Sequence, residues 1–215
     1  MSNPSTAHGA PSPTPAVAAP RARPALILAS TSRYRRELLA RLGLPFEVLA
    51  PQVDEARLPG ESPSAMARRL AIAKARAVSG AHPDAVVIGS DQTATLDDVD
   101  VIGKPGNHAN AVAQLRRASG RTLVFHTAMA VVRASSGFER SVVVHTRVRF
   151  RDLTDAQIEA YLAREPAYDC AGSAKAEGLG IALMASLEGS DPSALVGLPL
   201  IELTTLLDAA GCPVL

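Results

Sequence analysis

The sequence predicts an α/β protein built on a mixed β-sheet, on three observations. Short β-branched runs, of which Ala85-Val86-Val87-Ile88 is the clearest, alternate with segments of helical spacing through the first half of the chain. Two β-rich arms, 122–132 and 141–150, follow each other across Ser135-Ser136-Gly137 and so form an antiparallel hairpin. Hydroxyl caps and Pro or Gly breaks fall where the helical segments begin and end.

In chain order, residues 25–28 read as a short buried strand. Ser30-Thr31-Ser32 then offers hydroxyl caps to a helix over 33–42, which Gly43 ends. A second strand covers 46–49, and 51–60 is a loop containing Asp54-Glu55. Ser62-Pro63 starts a helix with Pro at the first helical position. Met66, Leu70, Ala73 and Ala77 give it a core face that leaves Arg68, Arg69, Lys74 and Arg76 largely outside. The apolar strand that follows ends at Asp91, then come an acidic turn over 97–100 and the extended segment Val101-Ile102-Gly103-Lys104-Pro105, where Pro105 biases Lys104 away from helix. A helix over 109–118 ends at Gly120 and leads into the hairpin. Thr154-Asp155-Ala156-Gln157 matches a capping box and opens a helix to 164. A Gly-rich loop over 170–180, a strand over 181–187, the turn Gly189-Ser190-Asp191-Pro192 and a helix over 199–210 complete the reading.

The chain of 215 residues is 47% hydrophobic, enough for one substantial core, and residues 25–215 are expected to form it. Residues 1–24, rich in Pro, Ala and Ser, carry no acidic residue and are expected to be a disordered tail. With 22 Lys and Arg against 21 Asp and Glu, no global field favours nucleic acid or an anionic membrane. Any phosphate recognition has to come from local clustering. No apolar run approaches the roughly 20 residues needed to span a bilayer, so a soluble protein is expected. Cys170 and Cys212 match no disulfide or zinc framework and fit a reducing, cytoplasmic setting.

Asp91 is the most informative position, because a strand buried on both faces has no need of a carboxylate where it ends. Desolvating that charge requires cations, hydrogen bonds or a metal, which places Asp91 at a strand mouth where such partners converge. The first strand, the Ser30-Thr31-Ser32 turn and the basic helix start form a candidate anion site, with Arg35 and Arg36 as forked donors. Taken singly, Ser30 and Ser32 are ordinary caps and Arg35 a surface charge. Asp54-Glu55 by itself reads as a solvated loop pair, but beside Asp91 it could supply a second oxygen ligand for Mg²⁺, since that ion takes one or two carboxylates together with phosphate and water. Lys74 and Lys104 complete a mixture of cations and carboxylates suited to a metal-bound polyphosphate. Phosphate-loop, dinucleotide and nucleophile-elbow motifs are missing from the sequence. A Ser173/Lys175 dyad is conceivable, but two residues that close in a Gly-rich loop coincide by chance.

Read in order, Leu26-Ile27-Leu28-Ala29-Ser30-Thr31-Ser32 with Arg35 and Arg36, Asp54-Glu55, Lys74-Ala75, Gly89-Ser90-Asp91-Gln92, Gly103-Lys104-Pro105, Cys170-Ala171-Gly172-Ser173, Glu177-Gly178 and Val196-Gly197-Leu198-Pro199-Leu200 resemble the Maf family of nucleoside triphosphate pyrophosphatases. The resemblance covers roughly residues 25–210. It implies an elongated mixed sheet flanked by helices, in two lobes with a central cleft, similar to the inosine triphosphate pyrophosphatases. It further implies hydrolysis of the α–β phosphate bond with a divalent cation, Mg²⁺ or Mn²⁺. Asp91 would be the catalytic carboxylate, as general base, metal ligand or both. Ser30, Ser32, Arg35, Lys74 and Lys104 would hold phosphates, and Glu55 would join Asp91 at the metal. An aromatic at Tyr34, with Gln92 and Glu177, resembles the 7-methyl-GTP subgroup, whereas dTTP/UTP-directed members usually carry Arg, Thr and Gln there. Tyr34 departs from the Trp of that subgroup. The alternatives are a dTTP/UTP-type enzyme and a nucleotide-binding regulator of cell division with little turnover. A nucleoside triphosphate is thus the expected partner, and homodimerisation is an expectation from the same resemblance.

Overall fold

The structure, a computed structural model, describes residues 23–215, so nearly all of the expected tail lies outside the described residues. The elements are β1 (Leu26–Ala29), α1 (Arg33–Ala40), β2 (Glu47–Leu49), α2 (Pro63–Ser79), β3 (Val86–Thr95), α3 (His108–Ala118), β4 (Thr122–Arg133), β5 (Phe138–Phe150), α4 (Asp155–Arg164), β6 (Met184–Gly189) and α5 (Leu200–Ala209). They form one mixed sheet in the order β2-β1-β3-β4-β5-β6. β1 runs parallel to both β2 and β3, while β3 to β6 are antiparallel neighbours. No helix among the described residues is long and apolar enough to cross a membrane.

Strand alternation divides the core. Leu26, Leu28, Val86, Ile88, Met129 and Val131 face α1 and α5, where they meet Leu38, Leu39, Leu203 and Leu207. Ile27, Ala29, Val87, Ala128 and Ala130 face α2, which answers with Ala67, Ala71 and Ala75. A third cluster gathers α3 and α4 on the far ends of β4 and β5, around Leu115, Leu123, Phe125, Phe150 and Ile158. Two lobes result, and the long strands β4 and β5 run through both. This is the elongated, two-lobed sheet that the family resemblance implies.

Most element ends fall within two residues of expectation, and three differences are informative. The strand expected to end at Asp91 continues to Thr95, because Asp91 through Thr95 pair with Ala128 through Val124 of β4. On its other edge β3 loses β1 after Gly89, and the next bridge there is Ala94 with Ile102. Among the described residues no strand covers that edge from Ser90 to Thr93, so Asp91 lies beside a gap in the sheet rather than at a strand end.

The inward face of α2 is also turned from the expected one. Ala67, Leu70, Ala71, Lys74, Ala75 and Val78 are buried, whereas Ala77 is exposed. Small alanines bring the helix close to the sheet, and Lys74, expected outside, is carried inward to carboxylate partners. Finally, the strand expected over 181–187 begins at Met184, because Leu179–Leu183 forms a 3₁₀ turn. The capping box at Thr154 and Gln157 is formed as expected.

Pro199 precedes α5 and supplies no side-chain cap, so the helix start is satisfied from a distance. Asp191, 2% exposed, accepts from the backbone N–H of Ile201 and Ser193, each at 2.8 Å, and the Ser193 hydroxyl accepts from Leu200 N–H at 2.8 Å. Asp191→Ala leaves those buried donors unpaired and is expected to cost about 2–4 kcal/mol, measured by urea denaturation. A loss under about 1 kcal/mol would mean that α5 starts without this support.

Candidate functional site

The gap in the sheet opens into a cavity of about 620 Å³ between the lobes, a size that suits a small-molecule ligand. Ser30, Ser32, Tyr34, Arg35, Glu55, Lys74, Asp91, Gln92 and Lys104 all line it. Of the expected site residues, Glu177 is not among the lining residues and is exposed on the loop after Cys170.

The centre of the site is an ion cluster. Lys74 Nζ lies 2.6 Å from Asp91 Oδ1 and 2.7 Å from Glu55 Oε1. Lys74 and Asp91 are buried, while Glu55 is largely exposed. Close packing of α2 on β3 creates the pair. Asp91 and Gly89 share the face toward α2, and a Cβ on Gly89 would meet the backbone of Ala71 and Ala75. Lys74 lies between these two alanines in sequence, and the alternation of β3 presents Asp91 to it. Two hydrogen-bonded anions balance the buried ammonium, as burial of a charge requires. The Lys74 hydrogen bond holds the Glu55 carboxyl below its ordinary value, against the opposing effect of partial burial. Its neighbour Asp54 instead accepts from the N–H of Ala56 at 2.9 Å and closes its own turn.

The opposite wall is built from the start of α1. Ser32 caps the helix by accepting from Arg35 N–H at 3.4 Å, and Ser30 Oγ accepts from Ser32 N–H at 3.1 Å. Arg35 donates from Nε to the carbonyl of Gly197 at 2.9 Å and from Nη1 to Ser30 Oγ at 3.4 Å. Desolvation lowers the Arg35 guanidinium from its ordinary value, and the nearby carboxylates of Asp91 and Glu55 oppose this. Gly197, at φ +124°, takes a conformation that L side chains rarely adopt and turns its carbonyl toward both Arg35 and the Ser90 hydroxyl. Hydroxyls, free helix N–H groups and guanidinium thus converge where an anion would be favoured. Lys104 enters from the other lobe on the extended segment anchored by Ile102.

Gln92 lies on the opposite face of β3 from Asp91. Its Nε2 donates toward Thr127 Oγ1 at 2.8 Å and toward the carbonyls of Ala194 and Leu195, each at 3.1 Å. Thr127 gives its own proton to the Ala194 carbonyl, so its oxygen is free to accept. These partners fix the amide with nitrogen inward and leave Oε1 as an acceptor. Elsewhere in the lining, burial pushes the Cys170 thiol up to about 12, so at neutral pH it is a neutral wall of the cavity. Ser173 donates to Gln114 Oε1 at 2.6 Å and Lys175 pairs with Asp169, which leaves no Ser/Lys dyad.

Asp169 and Arg33 also line the cavity, and motif reading assigned neither. Arg33 is the sequence neighbour of Tyr34 at the start of α1, whereas Asp169 is a single charge in a segment without periodicity that only tertiary structure brings to Tyr34. For a divalent cation the fit is good. Glu55 and Asp91, joined through Lys74, both line the cavity as hard carboxylates, each with an oxygen that Lys74 does not take. Among the described residues no group of three or more His, Cys, Asp or Glu could hold a metal by itself. Phosphate and water would have to supply the other ligands.

The family described as Maf-like protein matches residues 25–210. A 7-methyl-GTP pyrophosphatase from Polaromonas sp. is 61% identical over 192 residues, covering 89% of this chain and 87% of its own. Proteins of the same name from Thiobacillus denitrificans and Nitrosococcus oceani are 58% and 54% identical, covering 91% and 95% of this chain and 96% and 98% of theirs. Among solved structures, a HAM1 protein from Coxiella burnetii superposes with a TM-score of 0.48 at 14% identity, over 86% of this chain and 99% of that one.

Proposed function

The chain belongs to the Maf-like protein family, and from that premise we propose that it is a nucleoside triphosphate pyrophosphatase that converts 7-methyl-GTP to 7-methyl-GMP and pyrophosphate. The names of its relatives at 54–61% identity support the substrate. The observation that carries the reaction is the Lys74 ammonium shared between Asp91 and Glu55 in a cavity that also holds Ser30, Ser32, Arg35 and Lys104.

In this reading Ser30, Ser32 and the first N–H groups of α1 cradle the phosphates, and Arg35 and Lys104 neutralise them. Asp91 accepts a proton from the water that attacks the α-phosphorus. The bond from that phosphorus to the bridging oxygen breaks, and the oxygen leaves with pyrophosphate. Lys74 keeps Asp91 and Glu55 in place, so that no reorganisation is needed as charge develops. Glu55 and Asp91 would hold Mg²⁺ or Mn²⁺, which when bound supplies positive charge to the triphosphate. At the base, Gln92 Oε1 is an acceptor and the Tyr34 ring offers a π-face to a positively charged purine. The free cysteines suit a cytoplasmic location, where removal of modified nucleotides would protect the pool.

The test is pyrophosphate release from 7-methyl-GTP, GTP, dTTP, UTP and CTP with Mg²⁺. The highest kcat/KM is expected for 7-methyl-GTP, with activity lost in EDTA and restored by added Mg²⁺. Preference for dTTP or UTP would overturn the substrate, and full activity in EDTA would overturn the cation.

A further inference from the structure

Among the side chains proposed for the phosphates, Lys104 alone comes from the other lobe, and it is exposed, so burial does not fix it. After Lys74, it is the next charge that holds the Glu55 carboxyl down, which places its ammonium toward the ion cluster. Its segment is bridged to β3 at Ile102, and among the described residues no strand pairs with 103–105. The carbonyls on either side of Lys104 therefore need other donors. Two side-chain amides of α3 supply them. Gln114 Nε2 donates to the Gly103 carbonyl at 3.1 Å, and Asn110 Nδ2 donates to the Pro105 carbonyl at 2.9 Å. The two residues lie one turn apart on α3 and so share a face. The Gly103 carbonyl belongs to the same rigid peptide plane as the Lys104 amide, and Pro105 restricts Lys104 from the other side. The Gln114 amide is itself oriented. Ser173, fully buried, donates to its Oε1 at 2.6 Å, which turns Nε2 toward Gly103. Ser173 does so at φ +55°, a left-handed conformation uncommon outside glycine, directly after Gly172 at +75°. The catalytic reading uses neither this serine nor the two amides.

We propose that Asn110 and Gln114 are positioning residues for Lys104, two amides that hold the chain on both sides of the lysine so that its ammonium meets the phosphates, with Ser173 setting the Gln114 amide. The inference rests on the reading of the cavity as a triphosphate site. It adds what aims the cation that the other lobe contributes. The physical gain is preorganisation. A lysine on a loose segment would lose backbone as well as side-chain freedom when the nucleotide binds, whereas a held backbone leaves only the side chain to order. All three residues act through Lys104, so their effects should vanish once the lysine has no charge to place.

The experiment is a double-mutant cycle on pyrophosphate release from 7-methyl-GTP, with Gln114→Met and Asn110→Ala each made in wild type and in Lys104→Met. Methionine and alanine both suit a helix, and Asn110 is exposed, so both variants are expected to keep the fold, as thermal unfolding checks. In wild type, Gln114→Met is expected to lower kcat/KM about 10-fold and Asn110→Ala about threefold. In Lys104→Met, each is expected to change it by less than about twofold. Ser173→Ala is expected to reproduce part of the Gln114→Met loss. Hydrogen exchange over 101–106 is expected to quicken in Gln114→Met while that of α3 is unchanged, a readout independent of turnover. Losses of the same size in both backgrounds, full activity in both amide variants, or unaltered exchange over 101–106 would each overturn the proposal while leaving the pyrophosphatase reading intact. Wild type that releases no pyrophosphate from 7-methyl-GTP or the other triphosphates would overturn that reading, and this one with it.

Discussion

Gly89→Ala is expected to destabilise the protein by about 3 kcal/mol or more, a large effect for one added methyl group. A Cβ at that position would lie 2.2 Å from the Ala71 carbonyl oxygen and 2.6 Å from the Ala75 amide nitrogen. Both are backbone atoms of α2, so no side chain can rotate away. Relief requires the helix to lift from the sheet, and lifting opens the alanine-lined core between Ala67, Ala71, Ala75 and the strands beneath. The same movement draws Lys74 from Asp91. Activity is therefore expected to fall together with stability, even though Gly89 itself offers no functional group. Urea denaturation measures the first effect and pyrophosphate release the second. Gly80→Ala is the control, since the nearest atom to its added Cβ is the Arg76 carbonyl oxygen at 3.8 Å. That change is expected to be neutral or to stabilise by up to about 1 kcal/mol through the unfolded state. Equal stability in the two variants would show that α2 yields readily over β3.

The difference between these glycines also shows what the sequence could and could not reveal. Local chemistry was legible wherever the signal lies in a few neighbouring residues. The Thr154 capping box, the Pro63 helix start and the hairpin through Gly137 each formed where local rules place them. Asp91 stood out because an apolar run leads into a carboxylate. What could not be read was which strand edge that carboxylate would face. The gap depends on β1 stopping opposite Gly89 while β4 continues to pair, and both are long-range facts. Lys74 was misplaced for a related reason. Periodicity counts a lysine as polar and turns it outward, whereas two carboxylates from distant segments make an inward position stable. Asp169 carries no local signal, since its significance comes from Tyr34, which is 135 residues away.

Asp91→Asn is expected to reduce kcat by about 10³-fold while nucleotide binding persists. Asparagine keeps the shape of the side chain and an oxygen that can accept from Lys74, so the cluster loses charge without losing volume. Stability should change little, because Glu55 remains 2.7 Å from the Lys74 ammonium as a counter-ion. The lost capacities are proton acceptance, which an amide oxygen cannot supply near neutral pH, and one of the two charged oxygens proposed for the cation. The phosphate contacts proposed for Ser30, Ser32, Arg35 and Lys104 are untouched, and calorimetric binding of 7-methyl-GTP in the variant should therefore stay within about tenfold of wild type, a difference of about 1.4 kcal/mol. This pattern separates an enzyme from a nucleotide-binding regulator. If wild type and variant bind equally and neither releases pyrophosphate, the cavity is a binding site only. If the variant binds nothing, Asp91 is needed to hold the nucleotide, through the cation or the shape of the site, and the assignment of its main role to the proton it takes is lost.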